Sequence, residues 1–217
     1  MRLDPAGLPF IGGALLLAVV SFAALAWALA LPAAGLAAAL LLAVLAAFFV
    51  FFFRDPDRTA PTGPNLVVSP ADGRVMMAGV EPGPGAPEGK WRQISIFLSP
   101  VDVHVNRTPV EGSVTHVEYH PGKFLPAYKA EAGQLNEWTE VWFEREGRTV
   151  VCRQIVGILA RRIVCRLNPG DRVSRGQRFG VMKFGSRIDL YVPVDARIMV
   201  KAGDRVVAGE TVLAQVP

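Results

Sequence analysis

Three short segments carry a hydroxyl, an imidazole and a carboxylate. Ser186 follows Gly185 in Val181-Met182-Lys183-Phe184-Gly185-Ser186, His104 closes Ser99-Pro100-Val101-Asp102-Val103-His104, and Asp72 stands in a Pro-Ala-Asp-Gly turn. A neutral serine is a weak nucleophile, so it needs a base to take its proton, and the base needs a group to orient it. These three residues are the parts of an activated serine. Gly-Ser alone is a common turn dipeptide, so the reading rests on the segments that accompany it. A serine hydrolase could use the same trio, but Phe-Gly-Ser-Arg-Ile lacks the second glycine of a nucleophile elbow.

Metal chemistry is not expected. The chain has three histidines and two cysteines and no Cys-x-x-Cys, so no clustered ligand set stands out. His116 and His120 are four apart, a metal-binding spacing only on a helix, and Val117 and Tyr119 between them favour a strand or turn. Cys152 and Cys165 lie in runs of Val, Ile and Leu and read as buried reduced thiols.

The elements that must position these residues read as mostly β. Runs rich in Val, Ile, Phe and Thr, punctuated by Gly, Pro, Asn and Asp, predict strands over 66–68, 73–80, 93–97, 112–119, 137–144, 149–158, 163–166 and 188–192. Residues 80–90 hold three Gly and three Pro and read as a surface loop or hairpin tip. Residues 122–137 show no clear period and read as a mobile loop with a short helix near the site. An internal echo closes the chain: GDRVSRGQRFG begins at Gly170 and GDRVVAGETVL at Gly203, 33 residues on, and SPADGRV at Ser69 is matched by TPVEGSV at Thr108. Paired units of this kind resemble the hammerhead strands of biotinyl/lipoyl and related folds, which implies a β-sandwich or barrel and no function by itself.

The front of the chain has another character. From Phe10 to Phe53 there are 44 residues without one Asp, Glu, Lys, Arg or His, against about 20 needed to cross a bilayer. This excludes a wholly soluble protein. As one helix the run would be roughly 66 Å long, and Leu31-Pro32-Ala33-Ala34-Gly35 interrupts it, so two spans are expected, over about 10–31 and 33–53, in a membrane anchor of residues 1–53. A leader cleaved after Ala28-Leu29-Ala30 and a hairpin dipping into one leaflet are the competing readings. Arg2, Arg54 and Arg58 put both ends on the cytoplasmic side, with the soluble domain, 54–217, at the inner face of the cell membrane. A net charge of +4 and a pI near 9.4 suit anionic headgroups; no nucleic-acid partner is expected.

FFFRDPDR at 51–58, SPADG at 69–73, FLSPVDVHVNRTPVEG at 97–112 and FGSRIDLYVP at 184–193 follow one another after the hydrophobic anchor. In this order they resemble the short bacterial and archaeal form of the phosphatidylserine decarboxylase proenzymes, over residues 51–217. The resemblance implies self-cleavage between Gly185 and Ser186 into a large chain, 1–185, and a small chain, 186–217, which remain together as a heterodimer open to further dimerisation. It implies that Ser186 becomes a pyruvoyl group, with no metal and no pyridoxal phosphate. The ketone would form a Schiff base with the amine of membrane phosphatidylserine and accept the electron pair as carbon dioxide leaves, giving phosphatidylethanolamine. Ser186, His104 and Asp72 match the family's catalytic positions.

There is one departure. Longer members carry a second histidine three residues after the first, where this chain has Arg107. Either His104 then serves both cleavage and decarboxylation, or His116 or His120 enters the site. Arg107 could instead hold the lipid phosphate or carboxylate. Asn136 and Glu137 resemble an Asn-Glu of the family's loop that approaches substrate, and Arg161 or Arg162 could bind a phosphate at the membrane face. The alternative of another class is a membrane-anchored biotinyl or lipoyl carrier or adaptor, with Met182-Lys183 between two hammerhead units and Lys183 as the modified residue.

Overall fold

Met1–Pro56 and Asp57–Pro217 form two compact units in the computed structural model, which describes every residue except Met1, Pro84, Leu159, Ala160, Arg161 and Phe184. In the first unit β1 (Arg2–Leu3) leads into helix α1 (Leu8–Ala23), extended by a π-helical turn over Ala24–Ala28; α2 (Pro32–Phe52) then returns to β2 (Arg54–Asp55), which pairs with β1. The two helical stretches, Pro5–Ala28 and Pro32–Phe52, are long and apolar enough to cross a membrane.

The break falls where Pro32 was expected to place it, but the first helical stretch begins at Pro5, earlier than the span expected from about residue 10. Asp4, just before it, accepts the Ala6 N–H at 2.9 Å, and Pro5 and Pro9 occupy first-turn positions; a carboxylate cap followed by proline starts a helix rather than stopping one. Apart from Phe52 at the end of α2, the buried residues of the pair are small, Ala14, Ala18, Gly35 and Ala46, whereas Leu16, Val19, Leu41 and Val44 are exposed. That is the reverse of a water-soluble helix pair, and it suggests membrane association.

The second unit is mostly β. Its strands are β3 (Leu66–Val68), β4 (Gly73–Val80), β5 (Trp91–Leu98), β6 (Val105–Arg107), β7 (Gly112–His120), then, after the one-turn α3 (Ala132–Leu135), β8 (Trp138–Arg145), β9 (Arg148–Val156), β10 (Ile163–Cys165), β11 (Arg172–Val173), β12 (Arg178–Met182), β13 (Ser186–Pro193), β14 (Arg197–Ile198), β15 (Arg205–Val206) and β16 (Val212–Gln215). The curled main sheet has the order β11-β7-β8-β9-β13-β5-β4-β15, antiparallel throughout, and two three-stranded sheets, β10-β12-β6 and β14-β16-β3, complete the unit. The eight expected strands all form, β3 and β4 with the expected ends and the others with ends shifted by at most two residues; β6, β11, β12, β14, β15 and β16 are additional.

The internal echo is built as two equivalent corners. The N–H of Val75 donates to the Asp204 carbonyl at 2.9 Å and that of Gly203 to Val75 at 2.8 Å; Val114 bonds Asp171, and Gly170 bonds Val114, both at 2.8 Å. Likewise Gly209 N–H reaches Ser69 O at 2.7 Å and Gly176 N–H reaches Thr108 O at 2.9 Å. In each corner the Asp carboxylate caps its own turn, Asp171 at Asn168 N–H and Asp204 at Lys201 N–H.

Central strand β13 is buried on both faces. Ile188, Leu190 and Val192 enter the apolar core with Ile94, Ile96, Phe143, Cys152 and Phe179. Arg187, Asp189 and Tyr191 alternate with them and lie with Gln93, Ser95, Glu140 and Arg153 in a buried polar layer.

Candidate active site around the Gly185-Ser186 bond

Ser186 opens β13 opposite Leu98 of β5 on one side and Val156 of β9 on the other. It shares the core face with Ile188, and its hydroxyl is fully buried without a hydrogen-bond partner among the described residues. Such a group costs about 1–3 kcal/mol in a protein interior, so the serine lowers the stability of the strand it opens. Gly185 before it has φ +69°, a conformation that resists a side chain. Its carbonyl oxygen presses on Gly157, where a Cβ would come within 2.2 Å of it.

The connection from β12 to β13 carries this bond, and His104 lies beside the start of that connection. His104 precedes β6, which pairs with β12, and its carbonyl accepts the Met182 N–H at 3.3 Å, four residues before Ser186. The ring is fully buried, with Nδ1 2.9 Å from the carbonyl oxygen of Asp102. A carbonyl can only accept, so Nδ1 carries the proton and Nε2 the lone pair, the tautomer a general base requires. The carboxylate of Asp102 caps the same turn by accepting the N–H and Oγ–H of Ser99, both at 2.8 Å.

Two further polar groups, not foreseen from sequence, lie on β6 and β9. Asn106 stands two residues beyond His104, and Gln154 faces Ile188 across β9 and β13; Gln154 Nε2 donates to Asn106 Oδ1 at 2.8 Å. Asn106 Nδ2 and Gln154 Oε1 have no further partner among the described residues, and both side chains are fully buried. Hydrogen-bonding capacity is thus held in reserve there.

Asp72 lies at the same end of the sheet, two residues before Arg74, which pairs with Phe97 of β5. Its carboxylate accepts Ala208 N–H at 2.7 Å and meets Arg58 at 3.0 Å, while Arg58 also reaches Glu210 at 3.3 Å. Arg107 points the same way. Its guanidinium donates to the Gly176 carbonyl at 3.0 Å, its aliphatic stem packs at Gly209, and it is buried. The structure therefore groups Arg58, Asp72 and Arg107 around the turns that link the two repeats. Arg58, singled out in sequence for its place after the second span and within FFFRDPDR, is the residue that ties this group to the second repeat.

Asn136 is fully buried with its amide engaged by backbone: it accepts Leu125 N–H at 2.9 Å and donates to Leu125 O at 2.8 Å and to Val156 O at 2.9 Å. It bolts residues 123–128 to the end of β9, beside Ser186. Glu137 is buried and turns its carboxylate to the Tyr119 hydroxyl. His116 and His120 lie on strand β7, exposed, with His116 near Glu118 and His120 stacked 4.8 Å from Trp138; three strand intervals separate β7 from β13. Among the described residues no group of three His, Cys, Asp or Glu could hold a metal. Arg161 lies outside the described residues, and Arg162 is exposed.

On the opposite face, Arg187 forms a two-pronged pair with Asp189, at 2.7 and 2.5 Å, and donates to the carbonyls of Ala127 and Lys129. Burial works against its cation, but the hydrogen bond and charge of Asp189 outweigh this and raise its pKa. The residue after the serine thereby holds the 122–137 segment against that face of the sheet. An open apolar cavity of 380 Å³ lies beneath that segment, lined by Phe97, Pro100, Pro126, Tyr128, Ile158 and Gly185 among others.

The comparisons with known proteins agree with this geometry. A family model described as phosphatidylserine decarboxylase matches residues 45–214. A phosphatidylserine decarboxylase proenzyme of Symbiobacterium thermophilum is 45% identical over 212 residues, covering 97% of this chain and 94% of that protein. Proenzymes of the same description from Nitrosomonas eutropha, 41% identical over 96% of this chain and 93% of its own, and from Paramagnetospirillum magneticum, 44% identical over 96% and 84%, extend the likeness. With matches of this depth running almost end to end, the chain belongs to the phosphatidylserine decarboxylase family of pyruvoyl-dependent carboxy-lyases.

Proposed function

We propose that this chain cuts itself between Gly185 and Ser186 and decarboxylates phosphatidylserine at the site so formed. The observation that carries the assignment is the buried Ser186 hydroxyl, without a partner among the described residues, directly after a glycine in a left-handed conformation. Ser186 Oγ attacks the Gly185 carbonyl and the peptide C–N bond gives way to an ester, with His104 Nε2 taking the hydroxyl proton and returning it to the freed amine. Loss of the α proton then expels the Gly185 carboxylate, and water converts the dehydroalanine left behind to a ketone and ammonia.

A pyruvoyl group at 186 fits these surroundings, since the position is buried and flanked by Leu98 and Val156. Such a group supplies the carbonyl that takes the substrate amine and holds the electron pair left by carbon dioxide. The chain's own residues do the rest. His104 moves the proton, and the spare groups of Asn106 and Gln154 orient the serine headgroup. Asp72, held by Arg58 and Ala208 N–H, keeps the turn before β4 in place. Asn136 and Arg187 position the loop above the cavity, and Arg107 fixes the repeat turns.

The two equivalent corners support the hammerhead reading of the β unit. The exposed leucines and small buried contacts of Pro5–Ala28 and Pro32–Phe52 support a membrane hairpin, with the catalytic unit on the cytoplasmic face by the positions of Arg2, Arg54 and Arg58.

Intact mass under denaturing conditions, with decarboxylation of phosphatidylserine followed in parallel, tests the assignment. The parent chain should give a large species and a small one blocked at residue 186. Ser186→Ala should give one uncut chain of 23.4 kDa without activity, and His104→Ala should lose decarboxylation. A cleaved, active Ser186→Ala protein would sink the proposal.

A further inference from the structure

The cavity beside Gly185 is apolar, and the chain around its mouth is unusually greasy for a surface. Tyr128 is 61% exposed and Ile158 57%, and both line the cavity. Just outside it, Val101 next to Pro100 is 59% exposed, and Phe124, two residues before Pro126, is 42% exposed. These four side chains come from three separate loops: the one after β5, the segment bolted by Asn136, and the one after β9. Contiguous exposed apolar surface of this kind marks a contact site on a soluble domain.

Charge and rigidity narrow the occupant. Lys123 and Lys129 bracket Phe124 and Tyr128, and Arg162 follows Ile158; all three are exposed. Glu131 in the same segment instead lines the separate cavity with Arg187 and Asp189. Aromatic and aliphatic tips ringed by cations are what an anionic lipid surface binds, with rings at headgroup level and charge on phosphate and carboxylate. The segment is also held firmly, through Asn136 to Leu125 and through Arg187 to Ala127 and Lys129, so the patch requires little further ordering to bind.

We propose that Val101, Phe124, Tyr128 and Ile158 form a bilayer-docking rim on the catalytic unit, which seats the cavity mouth on the headgroup layer so that a phosphatidylserine headgroup reaches residue 186 while its acyl chains stay in the membrane. This rests on the decarboxylase reading of the site. It makes the catalytic unit a membrane-binding module in its own right, independent of the apolar helices.

The test uses the full chain reconstituted into phosphatidylcholine vesicles containing long-chain phosphatidylserine, compared with short-chain dibutyryl phosphatidylserine as a monomer in solution. Val101→Asp with Phe124→Asp changes only exposed rim residues outside the cavity lining. Intact mass should show normal cleavage, turnover on vesicles should fall about tenfold, and turnover of the soluble substrate should stay within twofold of the parent. Undiminished vesicle turnover, or an equal loss on both substrates, would overturn the docking rim. A second readout needs no activity: an environment-sensitive fluorophore on Phe124→Cys should shift to the blue in vesicles and be quenched at least twofold by brominated acyl chains. Aqueous emission there would refute docking even in a cleaved, active protein, whereas quenching in an uncleaved chain would uphold docking and count only against the cleavage assignment.

Discussion

A methyl group at position 157 would stand 2.2 Å from the Gly185 carbonyl oxygen, with backbone on both sides of the contact. Neither side can yield by a rotamer change, so Gly157→Ala must displace the Gly185-Ser186 bond, the proposed site of cleavage. Self-cleavage depends on sub-ångström placement of an attacking oxygen against a carbonyl, and each 1.4 kcal/mol added to that barrier is about a tenfold loss of rate. Gly157→Ala should therefore slow cleavage at least tenfold, read as accumulation of the uncut chain in a mass time course; cleavage at the parent rate would show that the contact does not restrain the bond. Ser186, Gly185 and His104 were legible because their segments keep a recognisable order. Gly157 was not: it lies at the end of a Val-Ile run, and its need is imposed by a carbonyl 28 positions away. Asn106 and Gln154 were hidden for a like reason, since each is one polar residue in an apolar strand and only the fold shows that they meet.

Elements were legible where a run of strand-forming residues opens on a glycine, as at Gly73 of β4 and Gly112 of β7. They were obscured where polar residues are buried in pairs. The expected strand at 188–192 begins instead at Ser186, because Arg187 and Asp189 neutralise one another inside the sheet and behave as buried strand residues. The two-residue strands β11, β14 and β15 are too short for any period, and in β12 Gly180 interrupts the pattern. The segment 122–137 was expected to be mobile, yet Asn136 and Arg187 tie it down, and both ties run through backbone carbonyls that leave no trace in the sequence. Replacing Asn136 by Ala would strand the Leu125 N–H and C=O and the Val156 carbonyl. The expected cost is about 3 kcal/mol, seen as a lower midpoint in urea unfolding, with slower turnover because the cavity roof loosens. An unchanged midpoint would show that water replaces the amide freely.

Across the whole molecule, burial keeps two acidic groups of the β unit neutral. The Cys152 thiol is pushed well above its ordinary 9.0, first by desolvation, and the Tyr191 hydroxyl above its ordinary 10.0, by desolvation and by Asp189. From pH 9 upward the unfolded chain sheds protons that the fold retains, so stability falls as pH rises and is unaffected by these groups below pH 9. Melting temperature measured from pH 8 to 11 should decline above 9, and Cys152→Ala with Tyr191→Phe should flatten that decline; an unaltered slope in the double variant would assign it to other groups. A different consequence follows from where the proposed cut falls. Residues 186–217 hold β13 between β5 and β9, β15 against β4, and β16 against β3, while only β14 and β16 pair within the piece. A central strand cannot lie in its place until the strands on either side exist, so the fragment is woven in while the chain is continuous and stays by mutual enclosure once it is severed. The mature protein would then be a one-way product: unfolded and returned to native buffer, its two pieces face a bimolecular search that the precursor never had, and lifetime rather than equilibrium governs its persistence.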